Sequence, residues 1–286
     1  MEEKGFLHKG ACICLVAGVL FIGCGGGSTP PPQSDTHSAL QQEGDTVTVD
    51  NQSGTPSNAL GKNDTAADQN ATLPTNAPAQ DVTASQEALF VAEGDRGVEV
   101  ISIGYKDRID HELLTTITGI NATFVALSED QTRLYVQNRE GYVNIYNISD
   151  LKNPVKERII DKKSLHIDPT TKNGLYEFVA KQEKGMVIYD IGNPSDRKVA
   201  AKFTQRPVYD ILLIDDDTKA LTATKTMGVD LLDISDPTQI HRLGNHPLPG
   251  ETLGLSINEK SGLLFVANGD NGVQVFNLNI FIDDFY

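Results

Sequence analysis

The stretch 268-NGDNGVQVF-276 has a near copy far upstream, 93-EGDRGVEVI-101. Each is a cluster of turn residues running into alternating aliphatics. A phrase written twice is a metal loop, a phosphate loop or a structural unit used repeatedly. The sequence between the copies decides. Gly97, Gly141, Gly185, Gly228 and Gly272 each precede a short apolar run, and they recur every 43 or 44 residues. The aliphatics that end those runs, Ile103, Ile148, Ile191, Ile234 and Leu278, recur every 43 to 45 residues. The intermediate copies, 138-NREG-141, 182-QEKG-185 and 225-KTMG-228, keep the glycine and lose the aspartate. A cation loop would keep its carboxylate. A tight hairpin needs only a residue that accepts positive φ.

Within each unit the apolar runs are short and β-branched, and turn residues separate them. The last unit divides into strands at Thr252 to Ile257, Leu263 to Ala267 and Val273 to Leu278, and 240-IHRLGNHPL-248 adds an outer run to the unit before it. No helical period of 3.6 is sustained after residue 80. About four antiparallel strands per 44-residue unit is the arithmetic of a propeller blade. The expected fold class is therefore all-β: a β-propeller of about five four-stranded blades. The first blade begins near Asp81, and 280-IFIDDFY-286 is the expected last outer strand. So short a strand closes a ring weakly, and an exposed edge invites self-association through the terminal blade.

The third strand and its exit also repeat, as 145-IYNISDLKNP-154, 188-IYDIGNPSD-196 and 231-LLDISDPTQ-239. This pattern resembles the bacterial LVIVD-repeat proteins. The resemblance covers about residues 81 to 279 and is carried mainly by units two to five; in the first, 103-IGYKDRID-110 replaces the exit. It implies a propeller on an exported protein and implies no reaction.

The N-terminus reads as an export signal. Residues 11-ACICLVAGVLFI-22 form an apolar run of signal-peptide length, too short to span a bilayer, preceded by Lys4 and Lys9. The following 20-LFIGC-24 resembles the bacterial lipobox, which implies cleavage after Gly23 and lipidation of Cys24. A plain secretory signal with an incidental Cys is the alternative. Gly25 after the Cys resembles the pattern sent on to the outer membrane. Acyl chains on one Cys anchor a protein stably, at about 0.8 kcal/mol per buried methylene. Residues 24–80 are rich in Gly, Ser, Thr, Pro and Asn and read as a disordered tether with a reach of about 40 Å. The expected organisation is thus a signal peptide at 1–23, a lipidated Cys and tether at 24–80, and a propeller at 81–286. The expected location is the bacterial cell envelope, outer-membrane, periplasmic or surface.

The 286-residue chain carries a net charge of −15, which argues against nucleic acid as a partner. All three Cys lie within the first 24 residues, so the remainder has no internal disulfide and no thiolate metal site. No Gly-x-Ser-x-Gly elbow and no Gly-rich loop opening a helix appears. His111, His166, His241 and His246 are scattered, without ligand spacing. No catalytic residue, metal ligand or cofactor is expected. Two functions remain. The first is a non-catalytic binding scaffold with a protein or envelope-component partner. The alternative is a metal-assisted hydrolase with its site in the central channel, for which Asp81, His166 and Asp210 are the first-strand candidates. In a propeller the turns between second and third strands share a face with the inter-blade connections. That face is expected to carry Glu93, Asp95, Arg96, Arg139, Glu140, Glu183, Lys184, Lys225, Asn268, Asp270 and Asn271, with Lys162, Lys163, Arg206 and His246 from the connections. These residues vary between units while the strands repeat, which is where a repeated scaffold places specificity.

Overall fold

Runs such as 210-DILLI-214 and 263-LLFVA-267 are too short for helices and too apolar for one-sided strands, so both of their faces must be covered. A computed structural model shows how. It describes Leu7–His8 and residues 70–104, 110–161, 168–193 and 195–285. The chain divides into residues 13–63 and the remainder, and all described residues belong to the latter. The signal peptide apart from Leu7–His8, Cys24, most of the tether, Lys162, Lys163 and His166 lie outside the described residues. Among the described residues no helix is long and apolar enough to cross a membrane.

Five antiparallel sheets form the blades of a ring. A two-residue strand, β1 (Leu7–His8), pairs with the innermost strand of blade 2. A three-residue strand, β2 (Ala71–Leu73), belongs to blade 5. Blade 1 is β3 (Asp81–Ala84), β4 (Ala88–Ala92), β5 (Val98–Gly104) and β6 (Asp110–Ile117). Blade 2 is β7 (Ala122–Ser128), β8 (Arg133–Asn138), β9 (Tyr142–Asn147) and β10 (Val155–Asp161). Blade 3 is β11 (Tyr176–Ala180), β12 (Met186–Asp190) and β13 (Lys198–Phe203), with a single bridge from Thr170 to Glu177 inside them. Blade 4 is β14 (Asp210–Ile214), β15 (Lys219–Ala223), β16 (Val229–Asp233) and β17 (His241–His246). Blade 5 is β18 (Gly254–Asn258), β19 (Leu263–Ala267), β20 (Val273–Asn277) and, as its outer strand, β2.

Two expectations are corrected here. The outer strand of blade 5 comes from residues 71–73, in the stretch expected to be tether, with Leu73 paired to Val273 and Ala71 to Val275. Residues expected to form that strand instead make a short helix, α1 (Leu278–Asp283). The edge of β20 is already taken, so the C-terminus turns away. Asn277 caps the helix by accepting the N–H groups of Asn279 and Ile280, and Phe281 buries beneath it. The unpaired edge that suggested self-association is thus covered by the chain itself.

The turn glycines show the same closure. Gly97, Gly185 and Gly228 all have positive φ, and a Cβ on each would strike the carbonyl of Ile117, Phe203 or His246 in the outer strand of its own blade. Gly272 is pressed in the same way by the carbonyl of Leu73, so β2 occupies the place of an outer strand. The other outer strands each carry one bulge at the same rung, beside Leu114, Glu157, Ala200 and Leu243. β2 ends without one.

Apolar clusters fill four of the seams. Phe90, Val100, Leu134 and Val136 join blades 1 and 2. Leu73, Leu89, Val91 and Phe265 join blades 5 and 1. Leu221, Leu255 and Leu264 join blades 4 and 5, and Phe178, Ile188 and Leu232 join blades 3 and 4. Polar clamps reinforce them. The carboxylates of Asp81 and Asp210 accept the N–H groups of Val125 and Leu255 in the next blade, at 2.9 and 2.8 Å.

Candidate binding face

One face is assembled by a repeated backbone device. The turn between second and third strands pairs with the connection that leads into the next blade. Gly94 pairs with Ala122, Gln182 with Val208, Lys225 with Thr252 and Gly269 with Ala79. Most of these are reciprocal, as in Gly94 N–H to Ala122 O at 2.9 Å and the return bond at 2.8 Å. Turns and connections therefore share a face, held rigidly by backbone bonds, and side chains are left to vary upon it.

Asp95, Arg96, Arg139, Glu140, Glu183, Lys184, Asp270 and Asn271 are exposed there, and Arg206 and Lys225 are half-buried. Glu93 and Asn268 are not displayed. They stand where β4 and β19 enter their turns, and the alternation of the strand points them inward. Asn268 Nδ2 donates to the Pro249 carbonyl at 2.6 Å. Glu93 lies against Glu99, and Asn76 serves both: its N–H donates to Glu93 Oε1 at 3.0 Å, and its Nδ2 to Glu99. Arg96 Nε is 3.7 Å from Glu93. Burial, then the neighbouring Glu99 charge, push the Glu93 carboxyl up to about 7. His246 stands at the rim, its ring packed against Phe276 and Phe281 at 5.5 and 4.6 Å between centroids. Burial lowers its pKa, and Asp284 partly opposes this.

Between blades 3 and 4 lies a cluster of which sequence reading named Arg206, Glu183 and Lys225 but not the buried centre. Asp230, on β16, is fully buried. Asn245 Nδ2 donates to its Oδ1 at 2.9 Å, Arg206 Nε lies 3.4 Å from its Oδ2, and Arg242 NH1 lies 3.7 Å from its Oδ1. Burial raises its pKa against the pull of both arginines. Above it, Tyr209 donates its hydroxyl to Glu183 at 2.6 Å, which lowers the Glu183 pKa. Lys225 Nζ sits 5.3 Å over the Tyr209 ring. A signal for Asp230 was present in the sequence. Glu99, Asp230 and Gln274 each follow their turn glycine by two residues, a polar intrusion at one position of an otherwise apolar strand.

Of the hydrolase candidates, His166 lies outside the described residues, and the other two make contacts between blades. Asp81 and Asp210 are buried as seam clamps, and a Cβ on Gly254 would strike Asp81. Among the described residues no three His, Cys, Asp or Glu side chains are grouped to hold a metal. On the opposite face Asp215, Asp216 and Asp217 form a left-handed turn, with φ of 51, 52 and 62°. Their carboxylates meet Lys219 Nζ at 2.8 Å, Lys172 Nζ at 2.6 Å and the Lys172 N–H at 2.6 Å.

Ring, seams and face define a five-bladed β-propeller. It carries an LVIVD repeat, whose family model matches residues 173–203. No curated protein matches the sequence. Among solved structures, the WD40 repeats of RRP9 share 8% identity and a TM-score of 0.54, over 74% of this chain and 98% of that one. The WD40 propeller domain of Doa1 shares 13% identity and a TM-score of 0.49, over 74% and 97%. The periplasmic gluconolactonase PpgL of Pseudomonas aeruginosa shares 12% identity and a TM-score of 0.36, over 66% and 62%. At 8% identity the likeness to RRP9 is one of fold.

Proposed function

We propose that this chain is an exported, lipid-anchored propeller of the bacterial cell envelope that acts as a non-catalytic binding scaffold and meets its partner through the face described above. One observation carries this reading: the backbone bridges of that face repeat from blade to blade while its side chains do not. A scaffold that fixes the main chain and frees the side chains is suited to recognition. The use of Asp81 and Asp210 as clamps between blades supports a structural rather than a catalytic inner ring.

Cross-linking mass spectrometry on intact cells expressing the full-length chain tests the face. Partner cross-links are expected to concentrate on Lys184 and Lys225. Cross-links confined to Lys219 and Lys260 would reject it. The anchor is tested separately: Cys24→Ser should move the chain from the membrane fraction to the soluble one, and an unchanged distribution would reject lipidation.

A further inference from the structure

We propose that the sector of this face between blades 3 and 4 docks an acidic segment of a protein partner, with Arg206 receiving a partner carboxylate. The inference rests on the binding reading above and specifies where and what the face binds.

Asp230 is the foundation. It is fully buried, and its one negative charge draws two guanidinium groups. The cluster therefore keeps an excess positive charge. Arg206 is drawn toward Asp230 through Nε, 3.4 Å from Oδ2, a charge contact without a hydrogen bond. Its NH1 lies 2.7 Å from Met227 Sδ, a poor acceptor. Held by the buried charge beneath it, three-quarters covered, and underused at its outer edge, the side chain is poised for a carboxylate, which it would grip in a bidentate, charge-assisted pair. Fixing such a side chain in advance removes ordering cost from association.

The surroundings fit a protein ligand. Met227 is 37% exposed, and Tyr209 lies in the same sector. Arg, Tyr and Met are enriched at interface centres, and Tyr and Arg among the residues that dominate binding energy. Lys225 lies 3.6 and 3.8 Å from Glu183 and Glu251, which offset its charge, so the cation surplus rests on Arg206 and Arg242 against the single charge of Asp230. Lys184 stands exposed on the adjoining turn. On a chain of net charge −15 such a concentration of cations is set against the average, and it would steer an acidic segment to this sector.

The test uses the purified full-length chain and a fluorescein-labelled hexaglutamate peptide, read by anisotropy, with hexalysine as control. Wild type is expected to bind hexaglutamate and not hexalysine, with affinity falling as salt rises. Arg206→Gln alone would leave the buried Asp230 charge to Arg242 and Asn245, so the informative variant is Arg206→Gln with Asp230→Asn, which removes both charges together and whose fold is checked by circular dichroism. It should lose roughly tenfold or more in affinity, while Lys260→Gln on the opposite face should change nothing. Unchanged hexaglutamate binding by the double variant overturns the proposal. So does Arg206-dependent binding of phosphatidylglycerol vesicles with no binding of the peptide. Cellular cross-links separate the two levels. Cross-links on the face but away from Lys184 and Lys225 would sink this inference and leave the binding reading standing. Cross-links absent from the whole face would sink both.

Discussion

A single carboxyl shows how the closure responds to pH. Glu93 normally titrates near 4.5, and in the folded chain near 7. Between those values the unfolded chain has released a proton that the native chain keeps. Stability therefore falls as pH rises through that window and levels off above it. The groups that face Glu93 are Glu99, Arg96, Asn76 and the main chain at Ala77. Glu93→Gln should be more stable than wild type at pH 8 by about 1–3 kcal/mol, with the gap narrowing toward pH 5. Urea denaturation at both values checks this, and an equal gap would refute it. His246 acts with the opposite sign, since it is held neutral and loses stability as pH falls below 6.5, but it is common to both proteins. A second residue-scale contrast comes from the turns. Both Gly97 and Gly141 have positive φ, yet only Gly97 would drive a Cβ into a carbonyl. Gly141→Ala should cost about 1 kcal/mol from backbone strain alone. Gly97→Ala should cost clearly more, read as a larger drop in Tm.

At the scale of elements, β2 completes blade 5 with three residues, and Leu73 is its fully buried anchor. Leu73→Ala should cost about 2–5 kcal/mol. Leu73→Asp should free the edge of β20 and let copies associate, visible as a higher mass in light scattering. This strand was not legible beforehand. Ala71–Leu73 sits among Thr, Asn and Pro, and its partner strand is about 200 residues away, so no local pattern marks it. The C-terminal segment misled for the converse reason. Its Ile and Phe residues suit a strand, but the edge it would have joined was occupied. The hairpins were legible, because the turn glycine answers to a steric demand that repeats with the blade. The buried carboxylates were only half legible. Glu99 and Asp230 show as polar intrusions at one repeat position, but Asn76 and Arg206, which face them, come from connections with no repeated pattern.

For the molecule as a whole, the ring is closed where its two ends of sequence meet. Blade 5 takes three strands from the last part of the chain and one from before the first blade, and Asn76 fastens the following connection to Glu93 and Glu99. The chain entering at residue 70 meets blade 5 through Ala71–Leu73. Those residues are thus the point at which mechanical load enters. Tension applied at residue 70 would bear first on a three-residue ladder. In single-molecule pulling between residue 70 and Tyr286, the first event should be a short, low-force release of β2, followed by larger steps as blades unravel. A single all-or-none rupture would contradict this. The strand that shuts the ring is also the fuse through which the ring would be forced open.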